Sequence, residues 1–219
     1  MTFSDSDRAA LQARFSSLVD PVTLLVFADD GPLSQQLAGI ATSLASTSPK
    51  LTVDIQRADG GRNLRMRELR IEHWPVMLPT KADFSRIRYY GVPAGYEVAP
   101  VVEGLVELSA ARTALSPKAK EALSTVRRKA NIKVFVLPTC HFCPIVARHA
   151  YRAAIESKNV TAEVIDTQMF PDLATRHSVM GVPKVILNDN LDITGAMGEA
   201  EFFEKLRDSD HALLDSMYG

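Results

Sequence analysis

The chain has 219 residues, enough for one large domain or two small ones that each bury a core. Its 25 Lys and Arg nearly balance 26 Asp and Glu, which argues against a dedicated nucleic-acid or membrane-surface binder. No apolar segment reaches the roughly 18 residues that a membrane span requires, and the polar, acidic N-terminus does not resemble a signal peptide. We therefore expect a cytoplasmic protein that binds neither nucleic acid nor membrane.

The first half of the chain predicts alternating helices and strands. Helical spacing of apolar residues predicts helices over residues 5–19, 33–45, 60–71 and 97–111. β-branched and apolar segments predict strands over residues 22–27, 51–56, 76–78 and 87–90. The third helix should open at Gly60-Gly61, and its arginines are interpreted as a solvated face because aromatic residues do not interleave with them.

The second half repeats this order after a break at Leu115-Ser116-Pro117. Helices are predicted over residues 118–129, 143–157, 172–179 and 199–217, and strands over residues 132–137, 161–165, 184–187 and 191–194. An internal duplication is the simplest explanation. The sequence therefore predicts an α/β fold with a mixed sheet in each half, and two domains covering residues 1–115 and 116–219.

A shift of 108 residues tests the duplication. It places Pro75 on Pro183, and Val26-Phe27 on Val134-Phe135, without a gap between these anchors. The same shift places Cys140 on Pro32 and Cys143 on Gln35. We therefore expect the first half to keep the scaffold and to lack the thiols.

The two cysteines of the chain stand together in Cys140-His141-Phe142-Cys143-Pro144, between a predicted strand and a predicted helix. A helix N-terminus offers unpaired N–H groups and a positive dipole end, which favour thiolate over thiol. Pro144 is tolerated only in a first helical turn, so the helix should begin close to Cys143. Cys140 would then lie just before the helix and Cys143 inside its first turn. This difference predicts Cys140 as the exposed attacking thiolate and Cys143 as the resolving thiol.

The main alternative is half of a zinc site or a pair of inert thiols. Structural zinc usually requires four ligands, and there is no second cysteine pair. The histidines at 73, 141, 149, 177 and 211 show no spacing that would complete a site. We therefore expect no metal and no cofactor other than the cysteine pair itself.

Two polar residues near the pair have ordinary structural interpretations. Asp166 ends a predicted strand and is expected to be a turn or cap residue. Lys184 could add positive charge near the thiolate, but a solvent-facing strand lysine is the favoured interpretation.

These features resemble the thioredoxin superfamily, and within it the two-fold protein disulfide oxidoreductases, also called glutaredoxin-like proteins. The resemblance rests on the strand before the cysteine pair, the duplicated order and two segments, Val179-Met180-Gly181-Val182-Pro183-Lys184 and Tyr90-Gly91-Val92-Pro93-Ala94-Gly95-Tyr96-Glu97. Many of those proteins carry a redox pair in each half, and this chain does not. In that respect it is similar to the amino-terminal region of the flavoprotein that reduces alkyl hydroperoxide reductase.

The resemblance implies two tandem thioredoxin-like folds, each a central mixed β-sheet flanked by helices. It implies a cis bond at Val182-Pro183 beside the cysteines, with the Val182 backbone free to pair with an extended substrate. Trp74-Pro75 would be the degenerate counterpart. Phe142 is expected to be a surface contact for partners, and His141 either tunes the reduction potential or is an exposed loop residue.

One family feature is missing. The buried acid that thioredoxin places six residues before its first cysteine is replaced by Val134. Proton transfer during resolution must therefore involve another group, for which His141 and water are the candidates.

The resemblance implies a cytoplasmic dithiol-disulfide oxidoreductase whose substrates are disulfide-containing proteins. A flavin-dependent disulfide reductase would supply its electrons, since the chain has no Gly-x-Gly-x-x-Gly dinucleotide motif. An alternative in the same class is a dedicated electron carrier to a peroxiredoxin. An alternative in another class is a non-catalytic adaptor that binds partners with two thioredoxin scaffolds.

Overall fold

Each half of the chain contributes four strands to one continuous sheet. The computed structural model describes residues 3–60 and 62–218, with side chains to residue 209. The first half gives β1 (Val22–Ala28), β2 (Leu51–Arg57), β3 (Val76–Thr80) and β4 (Ile87–Tyr90). The second gives β5 (Ala130–Val136), β6 (Val160–Asp166), β7 (Lys184–Leu187) and β8 (Leu191–Thr194). The order across the sheet is β2-β1-β3-β4-β6-β5-β7-β8, so each half repeats one strand order.

Helices cover both faces of this mixed sheet. The first half contains α1 (Asp5–Phe15), α2 (Pro32–Ala45), α3 (Leu64–Glu68) and α4 (Val98–Ala110), with a 3₁₀ turn at Gly95–Glu97. The second half contains α5 (Pro117–Ser124), α6 (Cys143–Glu156), α7 (Pro171–Arg176) and α8 (Glu199–Tyr218). The larger core lies under α1, α2, α4, α5, α6 and α8, and a smaller core lies under α3 and α7. None of the helices in the described residues has the length and apolarity needed to cross a bilayer.

Two short helices, α3 and α5, differ most from the sequence-based prediction. α3 starts after Asn63, whose side chain accepts hydrogen bonds from the backbone N–H groups of Arg65 and Met66. The predicted start at Gly60-Gly61 was therefore too early, and Gly61 lies outside the described residues. α5 ends at Ser124, five residues before the predicted end, because the chain turns there and β5 begins at Ala130.

The duplication is visible in the structure, but the offset between equivalent elements of the two halves changes at one place. β1 and β5 lie 108 residues apart at both ends, and so do the prolines of the cis peptides Trp74-Pro75 and Val182-Pro183. The helices that follow β1 and β5 lie 111 residues apart. The prediction of a gap-free alignment between the anchors was wrong, because the loop that contains Cys140 is three residues longer than its counterpart.

The two halves join along a charged and well-packed seam. β4 pairs in parallel with β6, from Ile87 opposite Ala162 to Tyr90 opposite Ile165. α4 packs against α6, where the guanidinium of Arg148 binds Glu103 (Nε–Oε2 2.5 Å) and that of Arg152 binds Glu107 (2.9 Å). The larger core contains residues of both halves. The domain boundary near residue 115 stays a prediction.

Candidate redox site

Both cysteines lie where the sequence placed them, at the turn from β5 into α6. α6 begins at Cys143, and Pro144 occupies its first turn. The backbone N–H of Cys143 donates a hydrogen bond to the Sγ of Cys140 (3.2 Å). Both residues are free thiols. Cys140 therefore accepts the first N–H of α6, which has no acceptor within the helix.

The two thiols differ in exposure. Cys143 is fully buried, whereas Cys140 is partly exposed. Burial raises the pKa of the Cys143 thiol, and its hydrogen bond with Cys140 raises that pKa further. Only Cys140 can meet a disulfide that arrives from solvent, and Cys143 must lose a proton before it can attack in turn.

The cis-proline segment lies beside Cys140. The Val182-Pro183 peptide is cis, as the resemblance implied, and β7 starts directly after it. The Sγ of Cys140 is 3.9 Å from the carbonyl oxygen of Val182. Among the described residues, neither the N–H nor the C=O of Val182 takes part in a backbone–backbone hydrogen bond. This backbone is therefore open to an extended peptide.

His141 and Phe142 point outward from the loop between the cysteines. Both are exposed, Phe142 by 53%. Their rings are 4.3 Å apart, and the His141 ring meets Tyr96 of the first half edge-on at 6.1 Å. The six residues singled out from sequence thus lie in two neighbouring segments, four of them on the cysteine loop and two on the cis-proline segment.

The first half of the chain touches this loop directly. The backbone N–H of Tyr96 donates to the carbonyl oxygen of Pro138, two residues before Cys140 (3.0 Å). Gly95 has a left-handed φ of 54°, and a Cβ there would overlap the same carbonyl oxygen. Only glycine fits this close approach between the halves.

Glu97, at the end of the same 3₁₀ turn, is a site residue that the sequence-based reasoning missed. It is fully buried, and neither carboxylate oxygen has a hydrogen-bond partner among the described residues. Its turn packs against α6, and its charge is close enough to raise the pKa of Cys143. Burial in turn raises the pKa of Glu97 to about 8. A carboxyl group with a pKa in this range can exchange a proton at neutral pH.

Other buried polar groups surround Glu97. The hydroxyls of Tyr89 and Tyr151 have no hydrogen-bond partner in the described part of the chain, and burial raises both pKa values well above normal. Asp166 is also fully buried, and burial raises its pKa. Its Oδ1 accepts backbone N–H groups of Gln168 (2.8 Å) and Met169, which confirms the predicted turn role. The segment 90–97 was noticed in the sequence, but only for its resemblance.

Lys184 corrects one sequence-based interpretation. It is 5% exposed rather than solvent-facing, because Asp192 of β8 (2.7 Å) and the carbonyl oxygen of His177 (2.7 Å) hold its ammonium group. Its ammonium group is therefore paired with Asp192 and with the His177 carbonyl, and not with a thiol. In the described residues, no group of three or more His, Cys, Asp or Glu side chains could hold a metal ion.

Comparison with known proteins points to one superfamily. The thioredoxin domain family matches residues 130–208. "Probable Thioredoxin" of Methanothermobacter thermautotrophicus is 32% identical over 79 residues, which cover 36% of this chain and 93% of that protein. The alkyl hydroperoxide reductase AhpF of Pseudomonas putida is 25% identical over 199 residues, 91% of this chain and 36% of that protein. The chain thus spans little more than a third of this longer relative.

Solved structures match both halves together. The NTD_N/C domain of alkylhydroperoxide reductase AhpF from Enterococcus faecalis superposes with a TM-score of 0.86 and 28% identity, covering 93% of this chain and 99% of that one. A protein disulfide oxidoreductase from Aeropyrum pernix shares the fold, with a TM-score of 0.88 at 22% identity, covering 97% and 95%. The chain belongs to the thioredoxin superfamily, and its two halves together resemble the NTD_N/C domain of AhpF.

Proposed function

We propose that the protein reduces disulfides in partner proteins through Cys140 and Cys143, with no cofactor other than this pair. The supporting observation is the asymmetric pair itself: a partly exposed sulfur that accepts the first N–H of a helix, beside a fully buried thiol. The open Val182 backbone next to Cys140 supports an extended protein segment as the substrate.

The proposed cycle has two displacement steps. The Cys140 thiolate attacks one sulfur of the partner disulfide, a Cys140–partner bond forms, and the other partner sulfur leaves as a thiolate that takes a proton from solvent. The Cys143 thiolate then attacks Cys140, forming the Cys140–Cys143 disulfide and releasing the second partner sulfur. The partner gains two electrons and two protons, and the dithiol of this chain loses them.

The second step needs a base for the buried Cys143 thiol. Glu97 is the nearby buried carboxyl group, and its pKa of about 8 leaves a minority of ionised molecules at pH 7 that can accept this proton. His141, which with water was a candidate from sequence, is exposed to solvent, and its ring contacts Phe142 and Tyr96. Glu97 is therefore the proposed proton acceptor, and His141 stays a loop residue in this scheme.

Reduction of insulin disulfides by the wild-type chain and by Cys140→Ser and Cys143→Ser tests the proposal. We expect turnover to vanish in Cys140→Ser. Cys143→Ser should instead accumulate a mixed disulfide with the substrate, visible by mass spectrometry. Turnover that survives in Cys140→Ser would refute the proposal. A wild-type chain without any turnover would favour a non-catalytic adaptor.

A second candidate is an electron carrier dedicated to a peroxiredoxin. The likeness to the AhpF amino-terminal domain over nearly the whole chain favours it. In this scheme a flavin-dependent disulfide reductase reloads the Cys140–Cys143 pair. Faster turnover with an oxidised peroxiredoxin than with insulin, at equal disulfide concentration, would select this role.

A further inference from the structure

Large apolar side chains are unusually exposed around Cys140. Among the described residues, seven large apolar side chains are more than a third exposed. Four of them belong to segments that adjoin the site, and we call these four the apolar rim: Tyr96 (54%), Phe142 (53%), Ile145 (38%) and Met180 (96%). The others lie elsewhere in the first half: Val19 in the loop before β1, Ile55 on β2 and Leu64 on α3.

Chain position and, for Tyr96, direct contacts place the rim residues in segments next to the sulfur. Phe142 lies between the two cysteines, and Ile145 is in the first turn of α6. Met180 precedes Val182, whose carbonyl oxygen lies 3.9 Å from the Sγ of Cys140. Tyr96 comes from the other half, held over the loop by its backbone bond to Pro138 and by edge contact of its ring with His141.

The segments next to Cys140 that carry Tyr96, Phe142 and Met180 have no acidic or strongly basic side chain. Residues 94–96, 138–142 and 180–183 contain no Lys, Arg, Asp or Glu, and His141 is their one titratable group apart from the thiol and Tyr96. A small anionic disulfide such as oxidised glutathione would find no opposite charge on these segments for its carboxylates. A protein segment with a large apolar side chain beside its disulfide would bury the rim.

We propose that the thiol-free half helps to select the partner, with Tyr96 as a specificity-determining residue that favours protein disulfides flanked by apolar side chains over small anionic disulfides. This inference rests on the proposed disulfide reductase activity. Tyr96 is half exposed and preordered at its backbone, which is how aromatic side chains dominate binding at protein interfaces. The first half would thus contribute to recognition without a thiol of its own.

The test compares three disulfides with four proteins. The substrates are insulin, oxidised glutathione and the neutral hydroxyethyl disulfide, and the proteins are wild type, Tyr96→Ser, Tyr96→Phe and the control Leu64→Ser, an exposed apolar residue on α3. For Tyr96→Ser we expect the ratio of kcat/KM for insulin to that for hydroxyethyl disulfide to fall five- to tenfold, through KM. Tyr96→Phe should keep that ratio within twofold, and Leu64→Ser should leave it unchanged.

Two results would overturn the inference while leaving the reductase proposal intact. One is an unchanged ratio in Tyr96→Ser, including the case in which both substrates slow equally because the variant merely disturbs the loop. The other is a wild-type preference for oxidised glutathione over insulin. If wild type reduces none of the three disulfides, the proposed function fails first, and the inference falls with it.

Discussion

The two strand-to-helix corners of the duplicated fold have opposite chemistry. In the thiol-free half, the carboxylate of Asp29 fills the corner, accepting hydrogen bonds from the Ser34 hydroxyl (2.6 Å), the Gly31 N–H (2.9 Å) and the Trp74 indole (3.0 Å). These bonds, led by that from Ser34, hold the pKa of Asp29 below its usual value. In the other half, Cys140 accepts one N–H and faces the Val182 carbonyl. One corner is closed by its own bonds, and the other is open to a partner.

Although its own corner is closed, the first half contributes residues to the surroundings of the open corner. Its turn at Gly95–Glu97 reaches across the seam to the open corner, with the Tyr96 N–H on Pro138 and the Glu97 carboxyl near Cys143. The two copies of one scaffold thus contribute different groups to the site. The second copy carries both thiols, and the first contacts the loop between them and places a buried carboxyl group nearby.

Removal of the Glu97 carboxylate tests this division most strongly. We expect Glu97→Gln to slow decay of the Cys140–substrate mixed disulfide on the order of 100-fold, because an amide cannot accept the Cys143 proton. The wild-type rate should rise as pH passes about 8, where Glu97 ionises, and the variant should lose that inflection. Rapid quenching and mass spectrometry measure both rates.

Glu68→Gln is the matched control, since Glu68 is an exposed glutamate of the same half, paired with Arg65. It should retain the wild-type rate and pH profile. An inflection that persists near pH 8 in Glu97→Gln would assign the proton to another group and would reduce the first half to a passive support.

The same carboxyl group should make stability depend on pH. Below the ordinary glutamate pKa of 4.5, Glu97 is protonated in the folded and unfolded states alike. Between 4.5 and about 8, the unfolded chain loses the proton and the folded one keeps it, so the free energy of unfolding falls as pH rises. The loss from Glu97 should total on the order of 4 kcal/mol by pH 8.5.

Urea unfolding at pH 5 and pH 8.5 measures this loss. Glu97→Gln should lose less stability than wild type over that interval. Equal losses in the two proteins would show that Glu97 is ionised in the folded state at neutral pH.

The sequence was most informative where a period or a motif determines structure. β4, β7 and β8 have the predicted bounds, because short apolar segments between turns leave little choice of register. The Cys140 and Cys143 positions at the mouth of α6 followed from Pro144 and the helical spacing behind it. The cis bond at Val182-Pro183 came from the resemblance alone.

The features that the sequence did not predict depend on contacts between distant segments. Glu97 begins an apolar stretch and shows no pattern that marks it as a neighbour of Cys143, which lies in the other half. Lys184 is the one charged residue of its strand and was therefore expected to face solvent, yet Asp192 on the next strand pairs with it. The extra three residues of the Cys140 loop escaped detection because loops carry no period that fixes an alignment.

Gly95 offers a smaller test of the contact between the halves. Gly95→Ala must hold a left-handed φ of 54° and push against the Pro138 carbonyl, so we expect a loss of about 1–3 kcal/mol and a several-fold slower turnover. Gly39→Ala is the control, since Gly39 lies in α2 with no atom near the added methyl. It should gain about 0.5–1 kcal/mol and leave turnover unchanged. Full activity in Gly95→Ala would mean that the first half does not position the Cys140 loop.

The smallest effect is expected at the closed corner. Trp74→Phe removes the indole N–H that bonds Asp29, and the ring still packs on the smaller core. Because Asp29 keeps Ser34 and Gly31 as donors, the loss should be about 0.5–1 kcal/mol. Circular dichroism must follow unfolding, since Trp74 is the single tryptophan. Insulin reduction should not change, because this corner lies in the half without thiols. A slower rate would mean that a change at the closed corner alters the open corner through the shared sheet.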